Sequence, residues 1–225
     1  MVILTSGKRM HIFACLIRTS FERFGLYLID EYSCVNSLVG TKKRRMKRVK
    51  LWDKEFEISL PNADIQLAIK QMAEKMKSDL KGKEVLFICI LNGAFMFAAE
   101  LLKEVELTDA EISFLKLASY AGTSSTGEIK ELIGLNEVIA GRTIVILEDI
   151  VDSGHTIKGV IEQVISKGAK EVKIATLLFK PDALQVDIKL DYVGIVIPND
   201  FIVGFGLDYD RRGRNLKDIY TLVKE

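Results

Sequence analysis

From Met46 the chain alternates apolar and polar positions as a strand does. Val49, Leu51, Phe56, Ile58 and Leu60 carry the apolar positions of MKRVKLWDKEFEISL, close to the two-residue period of a pleated ribbon. Behind it, Ile65, Ala68, Ile69, Met72, Ala73, Met76 and Leu80 return every three or four residues. That spacing predicts an amphipathic helix over 63–80 with Asn62 as its N-cap. The pattern changes again at residue 84. EVLFICI (84–90), ISFLKLAS (112–119), TIVILE (143–148), VKIATLLF (172–179) and YVGIVI (192–197) are short apolar runs, and helical stretches follow at 93–105 and from Thr156 to Ser166. Buried strands separated by helices predict an α/β fold, with a parallel-sheet core covered on both faces. In such sheets ligands bind beyond the carboxyl ends of the strands, so chemistry is expected in the loops that follow them.

Residues 1–45 show no sustained period and end in the basic run KKRR. They are read as an extension, disordered or foreign to the catalytic domain, with the domain itself spanning 46–225. Near the start, IFACLI follows Lys8 and Arg9, but this apolar core is too short for a signal peptide. The longest apolar stretch, 85–91, is also far below the roughly 20 residues of a membrane span. A soluble chain without a membrane partner is expected.

The 225 residues, 48% hydrophobic and 28% charged, suit one α/β domain or two small ones and exclude collagen, a disordered chain and a disulfide scaffold. Residues 1–45 carry eight basic side chains against three acidic ones, a net of +5, which leaves 46–225 at −4. An acidic body argues against nucleic acid as partner. Cys15, Cys34 and Cys89 cannot build a framework, which suits a reducing cytoplasm. With only His11 and His155 available, a His-rich metal site or a Ser-His-Asp triad is nearly excluded.

The sharpest feature is TIVILEDIVDSGHT, residues 143–156. A buried strand is expected to end at Leu147 and display Glu148 and Asp149 at its tip. Asp152, Ser153, Gly154, His155 and Thr156 then open a helix. Its leading N–H groups, with a glycine that lets the backbone approach closely, favour a phosphate. Acids next to a phosphate cradle suit a ribose 5-phosphate. Asp152-Ser153 alone would read as an ordinary helix cap; the whole string is far more specific.

ILEDIVDSGHT resembles the phosphoribosyl-pyrophosphate (PRPP) motif of type I phosphoribosyltransferases, two acids followed by D-[ST]-G-x-T. Residues 46–225 as a whole resemble the 6-oxopurine branch of that family. The resemblance implies that Glu148 and Asp149 hold the ribose hydroxyls, that Asp152 to Thr156 cradle the 5-phosphate, and that Asp152 accepts the purine N7 proton. It makes LNGAF (91–95) a pyrophosphate-binding turn with a cis peptide between Leu91 and Asn92, acting through the backbone of Leu91, Asn92 and Gly93. Some relatives carry Lys in place of Asn92. SYAGTSSTGEI (119–129) becomes a lid, with Ser119 and Tyr120 on the pyrophosphate side, closing to keep water from a ribosyl cation-like species. Lys180 would donate to the purine 6-oxygen, Phe201 would stack on the base, Ile202 would touch it through its backbone, and Arg214 would reach pyrophosphate. Asp208 would assist magnesium beside Glu148 and Asp149.

The implied architecture is the type I phosphoribosyltransferase fold, its hood built from residues near 48–60 and the segment beyond about 180. The implied activity is purine salvage: transfer of the 5-phosphoribosyl group from PRPP to hypoxanthine or guanine with Mg²⁺, in a homodimer or homotetramer. Two alternatives stay open at this point. One is a PRPP-sensing regulator that binds nucleic acid; the other is an enzyme for another nucleobase, xanthine or adenine. Read singly, Phe201 and Ile202 would be core, Lys180 a strand-end lysine reaching solvent, and Arg214 a surface charge.

Overall fold

The computed structural model describes residues 47–118, 130–133 and 136–224. The expected extension over 1–45 and the loop carrying Ser119 and Tyr120 lie outside the described residues. Six strands form the large sheet in the order β5-β4-β3-β6-β7-β8. They are β3 (Val85–Leu91), β4 (Glu111–Ala118), β5 (Lys130–Ile133), β6 (Thr143–Val151), β7 (Glu171–Phe179) and β8 (Tyr192–Val196). All neighbours pair parallel except β5, which runs antiparallel on the edge beside β4.

The apolar runs explain this sheet directly. Along β3 the odd residues Val85, Phe87 and Cys89 face α1 (Asn62–Leu80) and α2 (Phe95–Val105), while Leu86, Ile88 and Ile90 join the layer that contains α3 (His155–Ser166). Strands buried on both faces leave no polar side to alternate with, as parallel sheets require. Each fully buried aliphatic side chain contributes roughly 1.5–3 kcal/mol.

A smaller antiparallel sheet, ordered β1-β2-β10-β9, forms the hood. It contains β1 (Arg48–Leu51), β2 (Lys54–Leu60), β9 (Ile202–Val203) and β10 (Ile219–Leu222). The continuous alternation over 46–60 is thus a hairpin, broken at Trp52-Asp53, where Trp52 has a φ of 55°. The hood is also narrower than expected. Tyr192–Val196 pairs with β7 in the large sheet, so the second hood segment begins near Ile202, not at 180.

Asn62 is not the helix cap. Pro61 holds that place with an extended backbone, and the Asn62 side chain donates to Lys217 O at 3.0 Å. The capping carboxylate comes from the far end of the chain: Asn62 N–H donates to Asp218 Oδ1 at 2.9 Å. Lys47 Nζ (3.0 Å) and Tyr220 Oη (3.3 Å) both donate to Asp218 Oδ2. Burial would raise the Asp218 carboxyl, but these donors, led by Asn62 N–H, together hold it below the ordinary carboxylate range. A depressed acid stabilises the fold above its unfolded pKa and loses that contribution as pH falls through the folded value. Asp218→Ala is therefore expected to lower unfolding free energy at pH 7 by about 1–3 kcal/mol. In denaturant titrations the gap from wild type should shrink as pH drops below the ordinary carboxylate range; a pH-independent gap would assign the loss to packing.

Candidate active site

Four strand ends of the large sheet open under the hood. The first is the turn after β3, where the peptide between Leu91 and Asn92 is cis, as the resemblance implied. Gly93 follows, and its missing side chain is a geometric requirement. A Cβ there would run into the Asp149 carboxylate, and a Cβ on Gly206 (φ +101°) would run into Gly93 O. Backbone from the hood-side segment thus lies directly on the β3 turn.

The second strand end corrects the expectation for β6. The strand does not stop at Leu147. It stays paired with β7 to Val151, including Glu148 opposite Thr176. Glu148 is consequently held inside the ladder, and its Oε2 is buried with no hydrogen-bond partner. Burial first, then the negative charge of Asp149, pushes Glu148 well above the usual carboxylate range. Burial also pushes Asp149 up to about 6, against the opposing pull of Ile150 N–H, which donates to Oδ1 at 2.9 Å, and of Arg214. Two adjacent acids held in this way have an unmet need for positive charge or for hydroxyl donors.

The loop after β6 leads into α3. Gly154 occupies the N-cap place with a φ of +83°, and no side-chain cap bond is made there. Asp152 and Ser153 are therefore not the helix cap, and the leading N–H groups of α3 point onward without an intrahelical partner. The loop is braced from β7's exit: Lys180 N–H donates to Val151 O (3.0 Å) and Gln185 N–H to Ser153 O (3.0 Å). His155 Nε2 lies 3.3 Å from Gln185 Oε1. His155 and Thr156 are exposed and Ser153 is half-buried. An anion set here would meet the positive end of α3.

Lys180 does not reach solvent. Only 7% exposed, it donates from Nζ to Asp152 Oδ2 at 3.4 Å. Phe201, 46% exposed, leans on the hood and leaves part of its ring open. Gly93, Asp149, Asp152, Lys180, Phe201, Ile202, Asp208 and Arg214 line one cleft of about 380 Å³. The cleft's far wall is tightly ionic. Arg214 Nη2 pairs with Asp208 Oδ1 at 2.6 Å, Arg214 Nη1 donates to Gly206 O at 2.7 Å, and Arg211 N–H donates to Asp208 Oδ2 at 2.6 Å.

Glu148, Asp149 and Asp208 do not gather into a three-carboxylate cluster; none occurs among the described residues. Both Asp208 oxygens have donors, Arg214 on one and Arg211 N–H on the other. The orphaned Glu148 oxygen and the raised Asp149 carboxyl do fit a hard cation. Mg²⁺ is usually held by one or two carboxylates plus substrate oxygens and water, which matches a site of this kind.

Sequence reasoning missed Gly206, whose role lies in a contact with the distant Gly93 backbone, and the bracing of the loop by Gln185. It also missed Tyr209, which packs edge-on against Phe201 at 6.0 Å and 87°. Tyr209 directly follows Asp208 in the sequence, and its aromatic type was the one available signal.

Among the described residues no helix is long and apolar enough to cross a membrane. Residues 60–210 match the phosphoribosyl transferase domain. Over 170 residues the chain is 41% identical to the hypoxanthine-guanine phosphoribosyltransferase of Streptococcus thermophilus, covering 75% of this chain and 94% of that protein. It is 44% identical over 163 residues to the protein of the same name from Streptococcus agalactiae, covering 72% and 90%. A crystal structure of a hypoxanthine phosphoribosyltransferase from Staphylococcus aureus superposes with a TM-score of 0.70 at 38% identity, covering 74% of this chain and 91% of that one. Parallel core, separate hood, strand-end cleft and relatives agree, and the chain belongs to the phosphoribosyltransferase family, in its hypoxanthine-guanine branch.

Proposed function

We propose that this chain transfers the 5-phosphoribosyl group of PRPP to hypoxanthine or guanine, giving IMP or GMP and pyrophosphate in purine salvage. The observation that carries the reading is the buried Lys180 ammonium, paired at 3.4 Å with the half-exposed Asp152 carboxylate beside the open ring of Phe201. A 6-oxopurine with a proton on N7 presents an acceptor and a donor side by side. A lysine and a carboxylate present the complement. Adenine carries an amino donor at position 6 and faces the ammonium with the wrong polarity. The relatives above are named as enzymes, and no observation favours a nucleic-acid-binding regulator.

Roles follow from position. The leading N–H groups of α3, with Ser153, Gly154, His155 and Thr156, hold the 5-phosphate. Glu148 and Asp149 accept hydrogen bonds from the ribose hydroxyls and lie close to the carbon where positive charge develops. Phe201 stacks on the base, and Ile202 flanks it. Lys180 donates to the 6-oxygen, and Asp152 takes the N7 proton as the new bond forms at N9. The backbone of Leu91, Asn92 and Gly93, with Arg214, receives pyrophosphate, and Ser119 and Tyr120 belong to the same reading as its lid. Glu148 and Asp149, together with substrate oxygens and with Asp208 assisting beside them, would hold magnesium, which would supply positive charge for the leaving pyrophosphate. Self-association as a homodimer or homotetramer is part of the proposal, supported by Ile112 and Phe114, which stay 49% and 46% exposed on β4. A reducing, cytoplasmic setting is supported by Cys89, a buried free thiol.

A screen of PRPP and Mg²⁺ with each nucleobase, following pyrophosphate release, tests the reading. Turnover with hypoxanthine and guanine is expected, and turnover with adenine alone would overturn it. Lys180→Ala is expected to raise KM for 6-oxopurines by about 10- to 100-fold, the loss of a charged hydrogen bond, with little change in PRPP affinity. Equal losses for both substrates would refute the selective role. Asp152→Asn keeps the side chain's shape and removes its basicity, so turnover should fall by about 10²- to 10⁴-fold while PRPP still binds by calorimetry. A drop below about tenfold would deny Asp152 the proton transfer.

A further inference from the structure

Among the described residues Phe201 is the only ring lining the proposed purine site, and its placement depends on side chains that do not line the cleft. It belongs to a triangle of rings in the hood. Phe56, fully buried, lies 6.2 Å from Phe201 and 6.0 Å from Tyr209, and Tyr209 meets Phe201 edge-on at 6.0 Å. Phe56 is fixed by the hood's core. Tyr209 sits on a turn beyond β9, where Gly204 pairs with Leu207 and Tyr209 with Arg212 as isolated bridges. Its ring packs against the hood's core cluster of Phe56, Val203 and Tyr220, and its hydroxyl has a separate anchor.

The anchor is Asp53. Tyr209 Oη donates to Asp53 Oδ1 at 2.8 Å, and Asp53 stands in the turn between β1 and β2. That bond holds the Asp53 carboxyl below its ordinary range and raises the Tyr209 phenol. Two cation contacts stitch the same corner: Lys54 Nζ lies 4.8 Å from the Tyr209 ring centre and 5.9 Å from that of Phe201, and the Arg212 guanidinium lies 4.7 Å from the ring of Trp52. The two ends of the hood thus meet at Asp53 and Tyr209, immediately behind the Phe201 ring.

We infer that Tyr209, tethered through its hydroxyl to Asp53, is a positioning residue that sets the Phe201 ring for stacking on the purine. The inference rests on the stacking role proposed above for Phe201. An edge-on neighbour restricts ring rotation and tilt, and the phenol bond restricts the neighbour. A looser Phe201 would lose stacking energy with the base while the phosphate cradle and the pyrophosphate turn, on the other strand ends, stay intact.

The test is steady-state kinetics with hypoxanthine and PRPP varied separately, on the full chain. Tyr209→Leu removes both edge and tether and should raise KM for hypoxanthine about tenfold or more. Tyr209→Phe keeps the ring and should rescue most of that, leaving a rise of about threefold. Asp53→Ala should match Tyr209→Phe, and the double variant should be no worse than either, because both remove the same bond. KM for PRPP and kcat should stay within about twofold of wild type throughout, by the same reasoning. Additive effects in the double variant, or equal losses for the two substrates with a lowered melting temperature, would overturn the tether in favour of general hood stability. Phe201→Ala separates the two claims. If it raises the hypoxanthine KM and the Tyr209 variants do not, the positioning role fails alone; if it leaves that KM unchanged, the stacking role fails and the inference falls with it.

Discussion

The cleft exists because two backbones touch. Gly206 lies against the carbonyl of Gly93, and Gly93 lies against the Asp149 carboxylate, with no room for a Cβ at either place. This stack joins the β3 turn, the β6 acids and the segment running from β9 to β10 into one wall. Arg214 secures it, donating to Gly206 O while pairing with Asp208, and receiving Gly206 N–H on its own carbonyl at 2.9 Å. A methyl group at either glycine would push apart the elements that carry the β6 acids and the β3 turn.

Charge is distributed along that wall in a consistent order. Glu148 and Asp149 are raised by burial and sit where no cation answers them fully. Asp208 and Arg214 answer each other. At the opposite end the α3 N-terminus offers partial positive charge with no acid in its first turn. A ligand with a phosphate at one end, hydroxyls in the middle and a metal-bound diphosphate at the other would meet complementary charge along its whole length. On the proposed reading this polarity would favour one direction for PRPP, its 5-phosphate toward α3.

Local patterns were legible in the sequence, and contacts between distant segments were not. The α1 stripe, the apolar strands and the VDSGHT loop each declare themselves within a dozen residues, because helix period, burial and loop chemistry are local properties. Asn62 misled because a capping residue type stood in the right place, while the working acceptor, Asp218, lies 156 residues away. Glu148 misled because two adjacent acids look incompatible with a buried strand; a buried acid is tolerated here because the site is built to receive a ligand. Lys180 looked like a solvated strand end, and its burial beside Asp152 depends on the fold of the whole 181–188 segment over the α3 loop. Phe201, Asp208 and Arg214 were legible only as a set, through the resemblance of residues 46–225 to the family.

The Lys180–Asp152 pair ties recognition to catalysis in a way that neither residue would alone. A buried ammonium is costly without a counter-charge, and its partner is the carboxylate proposed to accept the N7 proton. In the empty cleft each group answers the other. When a 6-oxopurine enters, its oxygen takes over part of the ammonium's demand and its N7–H takes over the carboxylate, so the base replaces one ion-pair contact with two complementary ones. A purine without that acceptor–donor edge would separate the pair and return nothing. Selectivity is then set by what the pair loses when the wrong base enters, as much as by what it gains from the right one. On the proposed reading the same exchange would deliver the N7 proton to the Asp152 carboxylate, so the contact that recognises the base would also start its chemistry.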